Sequence, residues 1–307
     1  MVREISNYLN LYLKDNDFRF VELIQKNIRK KTCVIKVIKN NNEYIIKAID
    51  EKSPSVIKSK FLSEIEFYKN GVCNCVPKLY SYNEKLIILE FIEGINLRGL
   101  LLENNMGSCI FKDLFNSIES LYVNNFKAEN KQFDYSNAYS HLAALALSGP
   151  VQTKGLSLSF YDRLINRVIV RFLKARLTKI LSKIDKTKLK YGFVHGDLHT
   201  NNILVSSDNK VVFIDFENVR YDGAFDFDVL YLLAILYVSL GYADDTKDLL
   251  INQINLSCSY EKKLFNVYKL YRTAISINKR FDKNAISGIG KVSLLINIVV
   301  NSNYART

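Results

Sequence analysis

Residues 194–205, VHGDLHTNNILV, and residues 213–217, FIDFE, carry the pattern that decides the fold. In these stretches polar side chains interrupt apolar runs: Asp197, then Asn202 five residues later, and Asp215 at the end of the second run. Carboxylate and amide oxygens suit a hard cation, and Mg²⁺ needs few protein ligands because it keeps water and phosphate as the others. The pattern predicts a site for Mg²⁺ and a nucleotide phosphate, with one aspartate left to act on a proton.

The motif His-Gly-Asp-Leu-His-x-x-Asn, followed by Ile-Asp-Phe, resembles the aminoglycoside phosphotransferase and choline kinase family, relatives of the protein kinases. The resemblance implies that Asp197 is the catalytic base facing the acceptor hydroxyl. It also implies that Asn202 and Asp215 hold Mg²⁺ against the phosphates of ATP. The alternative is a loop and hairpin turn built from residues that favour turns, which three features at set offsets argue against.

Upstream of the motif the resemblance is weaker and follows the order of elements. Lys47, in the run YIIKA, matches the third-strand lysine that in the family reaches the ATP phosphates, with Lys36 and Lys39 as competing candidates. Glu64 matches the helix glutamate that pairs with this lysine, and helical spacing favours it over Glu66. The resemblance therefore implies that Lys47 and Glu64 belong to the nucleotide site.

Two further segments bear on nucleotide binding. Residues 26–32, KNIRKKT, stand where protein kinases carry a glycine-rich loop, yet they contain no glycine. Their successive basic residues would neutralise phosphate charge through side chains and backbone N–H groups, with solvated surface charge as the alternative. Residues 89–94, LEFIEG, resemble the hinge whose backbone pairs with adenine.

Short β-branched runs within residues 17–50 and 76–93 predict an antiparallel sheet. The asparagines at residues 40–42 tolerate the left-handed turn that joins two of its strands. A helix over Lys58–Asn70 interrupts the sheet, with apolar residues on one face. The predicted strands are Arg19–Gln25, Cys33–Lys39, Glu43–Ile49, Lys78–Tyr82 and Lys85–Phe91.

Beyond Gly94 apolar residues recur every three to four positions, which is typical of helices. The exception is a hairpin within residues 202–216, around the turn SSDN. The patterns predict an α+β chain with a strand-rich N-terminal part and a helical C-terminal part. The resemblance implies a protein-kinase-like two-lobed fold, with a nucleotide-binding lobe over residues 1–93 and a mainly helical catalytic and acceptor-binding lobe over residues 94–307. The predicted helices are Phe111–Asn124, Phe160–Ile184, Phe227–Leu240, Thr246–Asn255, Tyr260–Phe281 and Lys291–Asn301.

The charge of the chain bears on its phosphoryl acceptor. The 307 residues include 43 Lys and Arg against 31 Asp and Glu, a formal net charge of +12, and ten of the basic residues lie between Asp162 and Lys190. This excess disfavours polycationic aminoglycosides and favours a phosphorylated sugar, a lipopolysaccharide core sugar or another envelope glycan. Choline and ethanolamine stay open, because 19 tyrosines and 18 phenylalanines are enough for an aromatic cage.

The basic segment 163–190 has the spacing of an amphipathic helix. It is either a core-packed helix with a solvated basic face or a surface that contacts an anionic membrane. Residues 1–17 lack the pattern of a signal peptide, and the five cysteines are interpreted as thiols. We therefore expect a cytoplasmic protein, either free or peripheral on the inner face of the membrane.

Three other classes of protein were weighed against a small-molecule kinase. Nucleic acid is not expected as a partner, because no nucleic-acid-binding motif accompanies the basic residues. A catalytically inactive kinase-like binding module is the second class, and the retained Asp, Asn and Lys residues oppose it. A protein kinase is opposed by His-Gly-Asp in place of His-Arg-Asp and by the lack of Ala-Pro-Glu.

Overall fold

The structure is a computed structural model. It describes residues 2–70, 73–103, 108–124 and 191–224, with 228–229, 232–233 and 235–236. The chain divides into two compact units, residues 1–129 with 192–223 and residues 130–191 with 224–307. All the predicted site residues belong to the first unit, and the lobe boundary at residue 93 stays a prediction. The basic segment and most of the helices predicted beyond residue 124 lie outside the described residues. No helix in the described part of the chain is long and apolar enough to cross a membrane.

A five-stranded antiparallel sheet builds the N-terminal part of the first unit, with strand order β1-β2-β3-β5-β4. Every predicted strand of this sheet is confirmed, with ends that shift by about two residues at most. The strands are β1 (Arg19–Asn27), β2 (Thr32–Lys39), β3 (Asn42–Ile49), β4 (Leu79–Tyr82) and β5 (Leu86–Glu90).

The turn between β2 and β3 fixes which residues of these strands pair. Asn40 and Asn41 adopt positive φ values of 50° and 60°, a conformation that asparagine tolerates better than most residues. The turn pairs Lys39 with Asn42, and the register that follows pairs Lys47 with Val34. The sequence signal at residues 40–42 thus sets the position of the candidate site lysine.

A helix that the sequence analysis does not predict packs on one face of this sheet, against β2, β3 and β5. Helix α1 (Val2–Asp15) buries Leu9 and Leu13 against the sheet core. These leucines are four residues apart and therefore lie on one face of a helix. The sequence therefore contains a signal for this helix within residues 1–17.

Helix α2 (Ser55–Asn70) confirms the predicted helix and begins three residues earlier than expected. It starts directly after Pro54, whose carbonyl accepts hydrogen bonds from the N–H groups of Ile57 and Lys58. Proline is well suited to a helix start because its φ angle is already helical. The buried face of α2 consists of Phe61, Glu64, Ile65, Phe67 and Tyr68.

The remaining elements of the first unit lie after residue 93 and include the motif segment, residues 194–217. The predicted hairpin and the predicted helix at residues 111–124 are confirmed, whereas the sequence did not indicate the short elements β6, α3, β7 and β10. Strands of three to five residues carry too little alternation to be recognised. The elements are β6 (Gly94–Asn96), α3 (Leu97–Leu102), α4 (Ser108–Asn124), β7 (Tyr191–Val194), β8 (Ile203–Ser206), β9 (Val211–Phe213) and β10 (Arg220–Ala224).

Stacked aromatic rings join α2 to the motif segment. The ring of Phe67 stacks on Phe216 at a centroid distance of 3.8 Å and on Phe193 at 5.4 Å. Tyr68 meets Phe216 edge-on at 5.6 Å. Offset and edge-to-face pairs of this kind add to the apolar burial. The cluster holds α2 against β7 and against the residues that follow β9.

One expectation about the cysteines is wrong. Cys73 and Cys75, interpreted from the sequence as thiols, form a disulfide in the connection between α2 and β4. The turn brings their Cα atoms to 5.2 Å, within the range that a disulfide requires. Cys33 and Cys109 are free, as expected.

Replacing Phe67 tests the aromatic cluster. Phe67→Ala should lower the free energy of unfolding by about 3 to 5 kcal/mol, because Phe67 is fully buried and contacts the rings of Tyr68, Phe193 and Phe216. Chemical denaturation followed by circular dichroism measures this. The control Leu62→Ala, at a position of α2 that is 51% exposed, should change the unfolding free energy by less than about 0.5 kcal/mol. Equal effects of the two substitutions would contradict the packing described.

Candidate active site

Lys47 lies between two carboxylates that come from different elements. Its Nζ is 2.5 Å from Glu64 Oε2 on α2 and 2.8 Å from Asp215 Oδ1, two residues beyond β9. The Glu64 side chain is 1% exposed, and the Lys47 side chain is 14% exposed. Charged groups this buried are stable only when paired. The structure thus brings together three of the residues that the sequence nominated.

Burial and pairing shift the pKa values of all three groups. Burial alone would lower the pKa of Lys47, but Glu64 and Asp215 raise it above its ordinary value, so the ammonium stays charged. Burial raises the pKa of Glu64, and Lys47 opposes that rise. Burial likewise favours a higher pKa for Asp215, yet Lys47 outweighs it and holds the pKa of that carboxyl below its ordinary value.

The competing candidates for the lysine and glutamate positions have other partners. Lys36 forms an ion pair with Glu43 at 2.8 Å and lies 3.7 Å from the ring of Phe91. Lys39 lies 5.1 Å from the ring of Phe18. Glu66 is exposed, with its Oε2 3.6 Å from Lys69 Nζ. The geometry therefore favours Lys47 and Glu64.

The segment between β7 and β8 is held by its own hydrogen bonds. Asn202 Nδ2 donates to the carbonyl of Asp197 at 3.0 Å, and Asn202 N–H donates to the carbonyl of His199 at 2.9 Å. His195 is fully buried, with Nε2 3.1 Å from the carbonyl oxygen of Ile214. His195 therefore ties this loop to the segment that follows β9. These bonds fix the spacing between Asp197 and Asn202.

Two backbone positions in this region have positive φ angles. Gly196 has φ +76°, and a Cβ there would lie 2.2 Å from the carbonyl oxygen of Asn218. Asp215 has φ 65° although it carries a side chain. Its conformation is supported by the preceding bond from Ile214 N–H to the Asn202 carbonyl, 3.0 Å long. Non-glycine residues in this region are uncommon and tend to occur at functional sites.

A cavity of about 560 Å³ opens beside the ion-paired lysine. One part of its lining is apolar, and another part carries the charged and amide groups of Lys47, Glu64, Asn202 and Asp215. The apolar and aromatic lining residues include Ile24, Val34, Ile45, Leu89, Phe91, Ile92, Leu204 and Ile214. A largely apolar cavity with a few convergent polar groups is typical of a small-molecule site.

The remaining predicted residue, Asp197, does not line this cavity. Its side chain is 40% exposed, and its Oδ1 is 3.6 Å from His199 Nε2. His199 does line the cavity. Asp197 therefore lies next to the cavity wall, with its carboxylate accessible to solvent.

Sequence reasoning missed two features of the site. Tyr68 lines the cavity and hydrogen-bonds the backbone of Asp215. The Nζ of Lys30, in the turn after β1, is 2.6 Å from Glu217 Oε1. The helical spacing of Tyr68 indicated only that its side chain is buried. Lys30 and Glu217 are 187 positions apart, and no local sequence pattern relates residues at that distance.

Residues 153–250, which include the motif segment, match the family model described as the phosphotransferase enzyme family. The resemblance to aminoglycoside phosphotransferases and choline kinases is confirmed. The protein-kinase-like fold is confirmed as well, by likeness to solved structures of that family. No curated protein matches the chain by sequence.

Three solved structures illustrate the shared fold. Spectinomycin phosphotransferase APH(9)-Ia, crystallised with ADP and spectinomycin, has a TM-score of 0.55 at 14% identity, covering 89% of this chain and 86% of its own. Aminoglycoside phosphotransferase APH(4)-Ia has a TM-score of 0.56 at 10% identity, with coverages of 90% and 93%. Choline kinase LicA from Streptococcus pneumoniae has a TM-score of 0.51 at 11% identity, with coverages of 96% and 100%.

Replacing Gly196 tests the backbone constraint. Gly196→Ala should destabilise the protein by at least about 2 kcal/mol, because alanine resists positive φ and its Cβ would meet backbone rather than a movable side chain. Urea denaturation measures the change. The control is Gly99→Ala, whose Cβ would meet side-chain atoms, Ile95 Cγ2 at 2.8 Å and Asn96 Oδ1 at 3.6 Å, and it should stay within about 1 kcal/mol. A stable Gly196→Ala protein would contradict the loop geometry.

The lowered pKa of Asp215 predicts a pH dependence of stability. Between its lowered value in the folded chain and its ordinary value of 3.8, the folded state binds fewer protons than the unfolded state, so stability rises with pH. The contribution is present above about pH 4 and lost as pH falls. Asp215→Asn should therefore flatten the acid limb of unfolding free energy against pH, measured by urea denaturation. Asp113→Asn, at an exposed position of α4, is the control and should leave the limb parallel to that of the parent chain.

Proposed function

We propose that the chain is an ATP-dependent phosphotransferase that moves the γ-phosphoryl group of ATP to a hydroxyl group. The observation that carries the proposal is the Nζ of Lys47, held 2.5 Å from Glu64 and 2.8 Å from Asp215 at the wall of a cavity. In kinases a lysine and glutamate ion pair and a metal-binding aspartate must be in place together for phosphoryl transfer.

The two parts of the cavity suit the two parts of a nucleotide. Apolar side chains from β1, β2, β3, β5 and β8 line one part, which suits a nucleobase. Glu90, Phe91 and Ile92 also line the cavity, in the segment that resembles the adenine-binding hinge. The charged part beside Lys47 suits the phosphates. These features support ATP as the phosphoryl donor.

The donor atoms beside Lys47 fit Mg²⁺. Asp215 engages Lys47 through Oδ1, which leaves Oδ2 as a ligand, and Asn202 donates through Nδ2, which leaves its amide oxygen. The described residues contain no group of three His, Cys, Asp or Glu side chains arranged for a metal, so the ion would take its other ligands from water and phosphate. When bound, Mg²⁺ supplies neutralisation of the phosphate charge.

Asp197 is proposed as the catalytic base. Its accessible carboxylate would accept the proton of the acceptor hydroxyl while the hydroxyl oxygen forms a bond to the γ-phosphorus. The bond between that phosphorus and the bridging oxygen of the β-phosphate breaks, and ADP leaves. Lys47 orients the phosphates, and Glu64 keeps the Lys47 ammonium in position. Asn202 ties the backbone of Asp197 to the phosphate end of the cavity through its 3.0 Å hydrogen bond.

We propose an anionic sugar or envelope glycan as the acceptor, on the strength of the net charge of +12. Aminoglycosides and choline are competing acceptors, because solved structures with this fold include enzymes named for such substrates. Ethanolamine, which is chemically close to choline, is a further competing acceptor. Transfer of labelled phosphate from ATP across a panel of glycans, sugars, nucleosides, aminoglycosides and choline decides between them. Labelling of choline or an aminoglycoside alone would contradict the acceptor proposal and leave the reaction class intact.

Replacing Asp197 tests the assignment of the base. Asp197→Asn should leave ATP affinity within about twofold of the parent value and lower kcat by about 10²-fold or more, because the amide cannot take the proton. Calorimetry measures binding, and labelled-phosphate transfer measures kcat. The matched control is Asp208→Asn, on the exposed turn between β8 and β9, and it should retain full activity. Undiminished transfer by the Asp197 variant would remove Asp197 from the mechanism.

A further inference from the structure

The turn between β1 and β2 takes a fixed shape without glycine. Asn27 Oδ1 accepts a hydrogen bond from the backbone N–H of Lys30 at 3.0 Å. From the other side, Ser53 Oγ donates to the carbonyl oxygens of Lys30 at 2.9 Å and Lys31 at 3.2 Å. Lys31 has φ 53°. In this turn, side-chain hydrogen bonds hold the backbone in its conformation, whereas the loops of protein kinases use glycine to adopt theirs.

Of the three successive basic residues in this turn, Lys30 alone lines the cavity; Arg29 and Lys31 do not. Its Nζ reaches Glu217 Oε1 at 2.6 Å, with side chains 38% and 15% exposed. Glu217 also lines the cavity and lies two residues beyond Asp215. The ion pair thus joins the turn after β1 to the segment that carries the proposed metal ligand.

Of the two lysines that line the described part of the cavity, Lys30 has fewer carboxylate partners than Lys47. The described lining residues include two lysines, Lys30 and Lys47. Lys47 is already paired with both Glu64 and Asp215, so its charge is fully offset before any ligand binds. Among the residues that the structure describes, Lys30 has one carboxylate partner, Glu217. A polyphosphate chain carries several negative charges and needs further cations or N–H donors.

We propose that Lys30 binds the phosphate chain of the nucleotide, and that Glu217 holds the Lys30 ammonium at the cavity until the nucleotide arrives. The inference rests on the proposed function and deepens it by naming a phosphate-binding residue outside the family motif. On binding, the ammonium exchanges a carboxylate oxygen for a phosphate oxygen, one charge-assisted hydrogen bond for another. No covalent step is involved.

The first experiment compares ligands that differ in the number of phosphates. Calorimetry without Mg²⁺, at about 0.1 M salt so that distant charges are screened, gives affinities for ATP, ADP, AMP and adenosine. Lys30→Met should weaken ATP binding by about tenfold and leave adenosine binding unchanged, with a loss that grows with phosphate number. The matched control Arg29→Met removes the same charge from an exposed position of the same turn and should change ATP affinity less than twofold.

The second experiment tests the exchange of partners. Glu217→Gln should strengthen ATP binding several-fold without Mg²⁺, because the phosphate then no longer competes with a carboxylate for the Lys30 ammonium. The same substitution in a Lys30→Met chain should give a smaller gain. Omitting Mg²⁺ removes any effect of Glu217 on a bound metal from the comparison.

The outcomes separate this inference from the proposed function. If the parent chain binds ATP and Lys30→Met binds it equally well, Lys30 is not a phosphate ligand and the proposed function stands. If Lys30→Met weakens adenosine as much as ATP, the residue shapes the cavity and the inference fails. If the parent chain binds none of the four ligands, both proposals fail.

Discussion

A carboxylate withdrawn from water constrains the first unit more than any other group. Glu64 is 1% exposed, and a charge in that setting requires a partner with good geometry. Lys47 provides it and also binds Asp215. The three residues come from β3, α2 and the segment after β9. The position of α2 must therefore allow both the ion pairs of Lys47 and the ring stacking of Phe67. The buried ion pair is thereby tied to the fold.

The charged part of the cavity lining combines this ion pair with backbone held in uncommon conformations. Gly196 needs positive φ because the chain passes close to Asn218, and Asp215 adopts positive φ beside the lysine. Such positions persist when surrounding contacts over-determine them, and here stacked rings and short hydrogen bonds do so. The result is a set of oxygen and ammonium groups in place before a ligand binds, which is the condition for efficient electrostatic stabilisation.

The chain differs from the protein kinases in the turn that is proposed to contact phosphate. A turn shaped by Asn27 and Ser53 replaces a glycine-rich loop, and a lysine side chain in that turn faces the cavity. A glycine-rich loop supplies mainly backbone N–H groups, whereas Lys30 supplies a full charge. The basic character of the chain therefore extends into its proposed nucleotide site, and the acceptor proposal follows the same electrostatic reasoning.

The sequence by itself determined the long elements and the candidate residues. Alternation of apolar residues predicted the five-stranded sheet, helical spacing predicted α2, and the motif at residues 194–217 nominated Asp197, Asn202 and Asp215, because these signals are local. Only the tertiary structure paired Lys36 with Glu43, placed Asp215 beside Lys47, joined Lys30 to Glu217, bonded Cys73 to Cys75 and packed α1 on the sheet. Such pairings depend on which strands and helices meet in space, and the spacing of residues along a chain does not encode the partner of a charge.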